Sequence, residues 1–453
     1  MREVDEARKL ADGLAEWGVT ALTIAWADNN GIPRSRSVPL GRLPEVAARG
    51  VGITSLFAVF DSHDVVTYAY PGLSTPSGDV RLVPVLDRMT RLAGQPAMAW
   101  APGRQLAADG GPWPYDQRGV LERQVAEFAD VGLDVRVGYE MEFAVGLPGD
   151  AFVPAHPGPA YSPHALLAVD EFVAAVFADF DANGLPINQL HAEYGLAQVE
   201  LSLVETDPVT AADRQLLARQ TLHAAARAHG LRLSFAPLVV PEAAGNGWHL
   251  HVSVWRDERN LLRAGDDPAA GPTAEGAAFL AGLLRELPAV AALTAPSVPS
   301  LARLRPGYFA GAYQFWGVEN REAALRYVPG TALLGADHAN LELKVSDASA
   351  NPYLALAAVL GAGLTGLRDG AVPPEPVTED PGAWPAQRRA ERNIPALPAT
   401  PEEQEKALLS SALPGRVLGE PLLGAFLAAR RSDAAWARDR DLAEVVAAHR
   451  WRY

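Results

Sequence analysis

Glutamate and histidine recur at alternate positions in several short stretches of this 453-residue sequence. In "GYEMEF" (138–143), Glu140 and Glu142 alternate with Tyr139, Met141 and Phe143. On a β-strand successive side chains point to opposite faces, so the two carboxylates share a face, about 6–7 Å apart. The pattern repeats in "AQVELSL" with Glu200, in "WHLHVSVW" with His249, His251 and Ser253, and in "NLELKVSD" with Glu342 and Lys344. Just ahead of the Glu200 stretch, "HAEYG" adds His191 and Glu193. A solvated antiparallel face ordinarily mixes Thr, Lys, Arg, Ser and Gln. These faces select Glu and His instead, in a chain with ten histidines. Five glutamates and a histidine facing one space repel one another unless cations neutralise them. Carboxylate oxygens with one imidazole suit Mg²⁺ or Mn²⁺ better than zinc or copper, and so many ligands suggest more than one ion. Polyvalent metals beside arginines are what phosphoryl transfer needs. Arginines are supplied by "RLRPGY" (Arg303, Arg305) and "ENREAALRYVP" (Arg321, Arg326).

Composition removes several other classes. A net charge of −15 argues against a nucleic-acid binder and fits a protein handling small molecules or metal ions. There are no cysteines, hence no disulfides, thiolate nucleophiles or Cys-ligated metals. "GAGLTG" (361–366) matches G-x-G-x-x-G but lies inside an apolar helical pattern, where small residues allow close packing, rather than after a strand. No Gly-Lys pair exists, so any ATP site is built without a Walker loop. The longest uncharged run, 348–367, carries Asn351 and Pro352 and reads as a buried helix behind a proline start, not a membrane span. The opening "MREVDEARKL" is charged and lacks an apolar signal core, so a cytoplasmic enzyme is expected.

The elements that must position these groups follow from periodicity. Residues 6–17 read as a helix, and "VTALTIAWADNNGIPRSRSVPL" as a hairpin turning at 28–31. The Gly/Pro-rich "APGRQLAADGGPWPYDQR" is the best domain boundary, dividing the chain at 1–110 and 111–453. Beyond it helices are expected over 119–132, 164–183 and 210–229, and strands over 197–203, 231–240, 248–255 and 340–346.

In order along nearly the whole chain, "FDSHD", "GYEMEF", "HAEYGLAQVELSL", "GNGWHLHVSVW", "RLRPGY", "ENREAALR" and "LELKVSDASANPYLALAAVL" resemble the glutamine synthetases, in their bacterial type I-like branch. The resemblance implies an α+β fold: a small N-terminal β-grasp-like domain and a large catalytic domain whose curved antiparallel sheet is flanked by helices. It implies an ATP-dependent ligase that makes an acyl phosphate and lets an amine displace phosphate, with two or three Mg²⁺ or Mn²⁺ ions. Their ligands would be Glu142, Glu193 and Glu200 for one ion, and Glu140, His249 and Glu342 for another. His251 and Ser253 would lie near the nucleotide, Arg321 and Arg326 on the transferring phosphate, and Arg303 on the substrate carboxylate. Asp61 would meet the amine from a neighbouring subunit, implying a ring-shaped homo-oligomer, a dodecamer in the family.

Three departures from the family pattern cluster around the substrates. "PGYEAP" is here "PGYFAG", so the flap glutamate that takes up ammonium's proton is Phe309. "NGSG" is "AGNG", which places Ala244 where an asparagine contacts glutamate, while Gly245 remains. Lys344 stands where an arginine grips the same carboxylate, although only three of the 39 basic residues are lysines. A phenyl ring cannot deprotonate a cation but can wall an apolar pocket or stack on an amine. The expected activity is therefore ATP-dependent coupling of a carboxylic acid, with L-glutamate first, to an organic amine rather than ammonium. A ligase for another acid, an authentic glutamine synthetase, and a silent homologue acting as sensor or scaffold remain alternatives.

Overall fold

The computed structural model describes residues 2–264 and 271–453. After a helix at Arg2–Glu16, the first sheet contains β1 (Ala21–Ala27), β2 (Pro33–Pro39), β3 (Val51–Thr54), β4 (Asp79–Pro84), β5 (Thr90–Arg91) and β6 (Met98–Leu106). Strands β1 and β2 form the expected hairpin, and the Asp28 carboxylate accepts the Asn30 and Ile32 amides to shape its turn. Part of the stretch expected as a boundary is strand instead: Ala101–Leu106 lies in β6, which pairs with β1 and β4. Its buried run Ala99, Trp100 and Ala101 packs in the core on both faces, and this burial overrides the Gly and Pro signals.

The second sheet contains β7 (Asp134–Gly146), β8 (Ile187–Ala192), β9 (Gln198–Leu203), β10 (Arg232–Ser234), β11 (Trp248–Arg256), β12 (Arg259–Asn260), β13 (Trp316–Val318), β14 (Leu325–Val328) and β15 (Asn340–Leu343). Its main order is β13-β14-β15-β11-β7-β9-β8, antiparallel at every pair except β13–β14. One face packs on helices. Tyr139, Met141 and Phe143 of β7 are buried there, with the Tyr139 ring stacked 4.9 Å from that of Trp248. Helices Gln117–Ala129 and Pro208–Ala228 pack on β7, and against them lies the helix Pro352–Asp369, started by Asn351, whose side chain caps the Tyr353 and Leu354 amides. The glycines of "GAGLTG" do serve packing: a Cβ on Gly363 would stand 2.1 Å from the Phe279 ring, and one on Gly366 2.1 Å from the Ala278 carbonyl oxygen.

Two expected elements differ. The helix over 164–183 is two, Pro163–Leu167 and Asp170–Ala182, because Asp170 and Glu171 open a new amino terminus where acidic side chains are favoured. The strand over 231–240 stops at Ser234. Pro237 has no amide to donate, and Asn246 satisfies the Ser234 and Ala236 carbonyls in place of a ladder partner. Among the described residues, no single helix is long and apolar enough to cross a membrane.

Candidate active site

The antiparallel register brings the alternating glutamates and histidines into one array. Glu140 pairs with His249, Glu142 with Glu200, His251 with Glu342, and Arg326 with Glu342. Period-two alternation then leaves all these side chains on the face opposite the Tyr139–Phe143 core. The His249 ring lies between the carboxylates. Its Nδ1 is 3.4 Å from Glu140 and 3.5 Å from Glu342, and its Nε2 is 3.7 Å from Glu142.

A cavity of about 880 Å³ opens onto this array, lined by the ligand candidates together with Gly245, Arg303, Arg321, Arg326, Lys344 and the loop Gly307–Ala310. A second cavity of about 300 Å³ approaches from the other side, lined by Arg136, His251, Ser253 and Asn340. Glu140 borders both. Gly245 has to be glycine, since a Cβ would stand 2.2 Å from the Pro237 carbonyl oxygen and 2.5 Å from Arg303 Cγ. Buried Arg303 donates to the Ser346 carbonyl.

Charge is compensated around Glu342. Lys344 Nζ and Arg326 each donate to Glu342 at 3.0 Å. Burial alone would raise the Glu342 carboxyl, but Lys344 and the two histidines hold it down at about 2. Burial likewise opposes ionisation of Glu140, yet His249 and His251 keep it well below the usual range. The His251 imidazole, which burial would depress, is pushed up to about 9 by Glu140. Glu200 moves upward because burial and the neighbouring Glu140 and Glu142 charges outweigh its contact with His191.

Ligand-type atoms come within 4.8 Å of one another in three groups: Glu140/His249/Glu342, Glu142/Glu200/His249 and His191/Glu193/Glu200. The first is one of the two sets expected. The other is rearranged: Glu193 does not join Glu142 but turns to accept from the Tyr161 hydroxyl at 2.9 Å and the Tyr194 amide at 2.7 Å. Glu193 lies just past the end of β8, where its amide still donates to the Gln198 carbonyl at 2.8 Å and alternation keeps it beside His191 and Glu200. Oxygen-rich donors with one shared imidazole fit hard divalent cations. The Gln198 side chain, unassigned in the sequence, donates to Glu142 at 3.0 Å, and the Gly247 amide donates to the same oxygen at 2.5 Å. Tyr161 was equally unmarked, coming from an irregular segment with φ +58°.

Asp61 does not line this cavity within one chain. It is 2 % exposed; one carboxylate oxygen accepts the His63 and Val65 amides and the other the Ser432 hydroxyl.

An α+β architecture with a strand-borne carboxylate array, approached from two sides and bordered by arginines, defines a ligase of the phosphoryl-transferring kind. The glutamine synthetase catalytic domain matches residues 114–442. The chain belongs to the glutamine synthetase family and is an ATP-dependent ligase; the family uses ATP and divalent metals. It is 43% identical over 455 residues to gamma-glutamylpolyamine synthetase GlnA3 of Streptomyces coelicolor, covering 100% of this chain and 97% of the relative. A crystal structure of a glutamine synthase homolog superposes with a TM-score of 0.85 at 32% identity, over 96% of this chain and 99% of that one. The ADP complex of GmaS gives 0.82 at 25% identity, over 95% and 97%.

Proposed function

We propose that this chain couples the side-chain carboxylate of L-glutamate to an organic primary amine, with polyamines the first class to test, at the expense of ATP. The observation that carries this reading is Phe309. The loop Gly307–Ala310 borders the cavity with a phenyl ring where the family resemblance expects the ammonium-binding glutamate. Exposed Tyr161 and Tyr194 also border the cavity beside Glu193, and aromatic faces next to a carboxylate suit an organic ammonium. The relative named a gamma-glutamylpolyamine synthetase supports the same class.

In this reading Glu140, His249 and Glu342 would hold one divalent cation, Mg²⁺ or Mn²⁺, and Glu142 and Glu200 would hold another, joined by Glu193 once it leaves the Tyr161 hydroxyl, with Gln198 orienting Glu142. Bound there, the ions neutralise phosphate charge. His251 and Ser253 face the nucleotide. Arg321 and Arg326 steady the γ-phosphate as it passes to the acid, and Arg303, Gly245 and Lys344 seat the acid. Phe309 walls the amine side. The oligomer is proposed as a ring, twelve-membered by resemblance, in which Asp61 of one subunit orients the amine of the next. The proposed domains are 1–110 and 111–453, and the proposed compartment, where ATP is available, is the cytoplasm.

The test is phosphate release from ATP with Mg²⁺ or Mn²⁺ and L-glutamate, against ammonium, ethanolamine, putrescine, isopropylamine and aniline. Release that depends on both glutamate and one organic amine is expected, with ammonium poor. Release with ammonium alone contradicts the reading. One observation favours a different acid: the Lys344 ammonium is committed to Glu342 at 3.0 Å, and Ala244 offers no amide. Activity with another carboxylate and none with glutamate would support that alternative.

A further inference from the structure

The loop that carries Phe309 is held in an unfavourable backbone shape. Phe309 has φ +54°, in the left-handed region that bulky residues avoid, between Gly307 at +77° and Gly311 at +76°. Glycine is required at 311, where a Cβ would stand 2.9 Å from Ala324 Cα, while Gly307 faces open space. The Gly311 end of the loop is thus packed against Ala324, just ahead of β14, while the Gly307 end is not packed in this way.

Two side chains fasten the rest of the loop. Arg305 donates to the Ala243 carbonyl at 2.8 Å, and its guanidinium lies 3.9 Å over the Tyr308 ring. Glu322 accepts the Phe309 amide at 3.2 Å. Glu322 is itself well anchored: its own amide donates to Asn320, whose side chain donates to the Val377 and Glu379 carbonyls. Glu322 does not line the cavity, whereas its neighbour Arg321 does. A carboxylate placed on an amide of a strained loop stabilises the shape that the loop alone would leave.

We infer that Glu322 is a positioning residue for amine selection: it clamps the Phe309 amide and so holds the phenyl ring as the wall of the amine side of the cavity. The specificity half rests on the amine-ligase reading; the clamp itself does not. Its mode of action is acceptance of a hydrogen bond, so an amide should replace it in part.

The test uses the full chain with Glu322→Ala, Glu322→Gln and Glu322→Asp. Amide hydrogen exchange is followed in the peptide spanning 305–311 without substrates, alongside steady-state kinetics for amine and acid. The alanine variant should exchange about tenfold faster at Phe309, the protection that one charge-assisted hydrogen bond supplies. Glutamine, which still accepts but without the charge, should fall between the wild type and alanine. Aspartate, one methylene short, should follow alanine and serves if the alanine variant does not fold. In the kinetics, alanine should raise the KM for the amine and narrow its advantage over ammonium, leaving the KM for the acid unchanged. Unaltered exchange in alanine, or glutamine as damaging as alanine, overturns the clamp. Faster exchange with unchanged amine KM overturns the specificity claim alone. A chain inactive with every amine refutes the amine-ligase reading, and the exchange result then still decides the clamp.

Discussion

Glu142 and Glu200 face each other directly across the β7–β9 ladder, two carboxylates in a position where sheets ordinarily place complementary side chains. Like charges opposite one another cost a sheet about 0.2–1 kcal/mol, and burial adds to it. The metal-free chain therefore gives up stability for a site. Glu142→Gln should raise the stability of the metal-free chain by about 0.5 kcal/mol. The same change should lower ligation more than about 100-fold and remove stabilisation by Mn²⁺. Thermal melts with and without Mn²⁺, beside an activity assay, check both. A variant that melts earlier without metal yet keeps its activity contradicts the assignment.

Phe309→Glu should restore a carboxylate to the loop bordering the cavity. The preference for organic amine over ammonium is expected to fall about tenfold or more. Competition between the two nucleophiles under identical conditions reads this directly, and an unaltered ratio places the amine elsewhere.

Asp61 presents two roles that one substitution separates. Its oxygens cap two backbone amides and accept from Ser432, so Asp61→Ala should cost about 2 kcal/mol of stability. Asp61→Asn keeps one carbonyl oxygen for the amides and should recover most of that stability. If the asparagine variant is stable but its turnover with amine has collapsed, Asp61 acts on the amine across a subunit boundary. If turnover is normal, its work is confined to the loop.

Buried His449 donates its Nδ1 hydrogen to the Val445 carbonyl, since a carbonyl only accepts. Burial pushes this imidazole down to about 4, from an ordinary value of 6.5. The unfolded chain then binds more protons than the folded one between those values, so stability falls as pH drops through that window. The full effect is about 3 kcal/mol. Denaturant melts from pH 7 to pH 4 should show the loss, and His449→Gln should remove its share of it, leaving that of His223, which burial likewise pushes down to about 4.

The site was legible where the backbone is regular and obscure where it is not. Alternation along β7, β9, β11 and β15 fixed which side chains share a face, and the ladder register then set which of them meet. Glu193 follows the alternation of His191, but its carboxylate is engaged by Tyr161, 32 positions earlier in an irregular segment whose direction no period governs. Gln198 stood one position from Val199 in a strand read for its acidic residue alone. Nothing in the sequence marks Glu322, because the adjacent Arg321 and nearby Arg326 carry the charge expected at a phosphate. The burial of Asp61 depends on Ser432, 371 positions later in the chain, a contact that local pattern does not encode.

The central claim is that the acid carboxylate is activated by phosphorylation and that the amine then displaces phosphate. The most direct measurement supplies L-glutamate labelled with ¹⁸O in its side-chain carboxylate, with ATP, Mn²⁺ and the preferred amine, and analyses the released phosphate by mass spectrometry. The account predicts one ¹⁸O atom in each phosphate and a γ-glutamyl amide as the other product. Amide formation with unlabelled phosphate would contradict it.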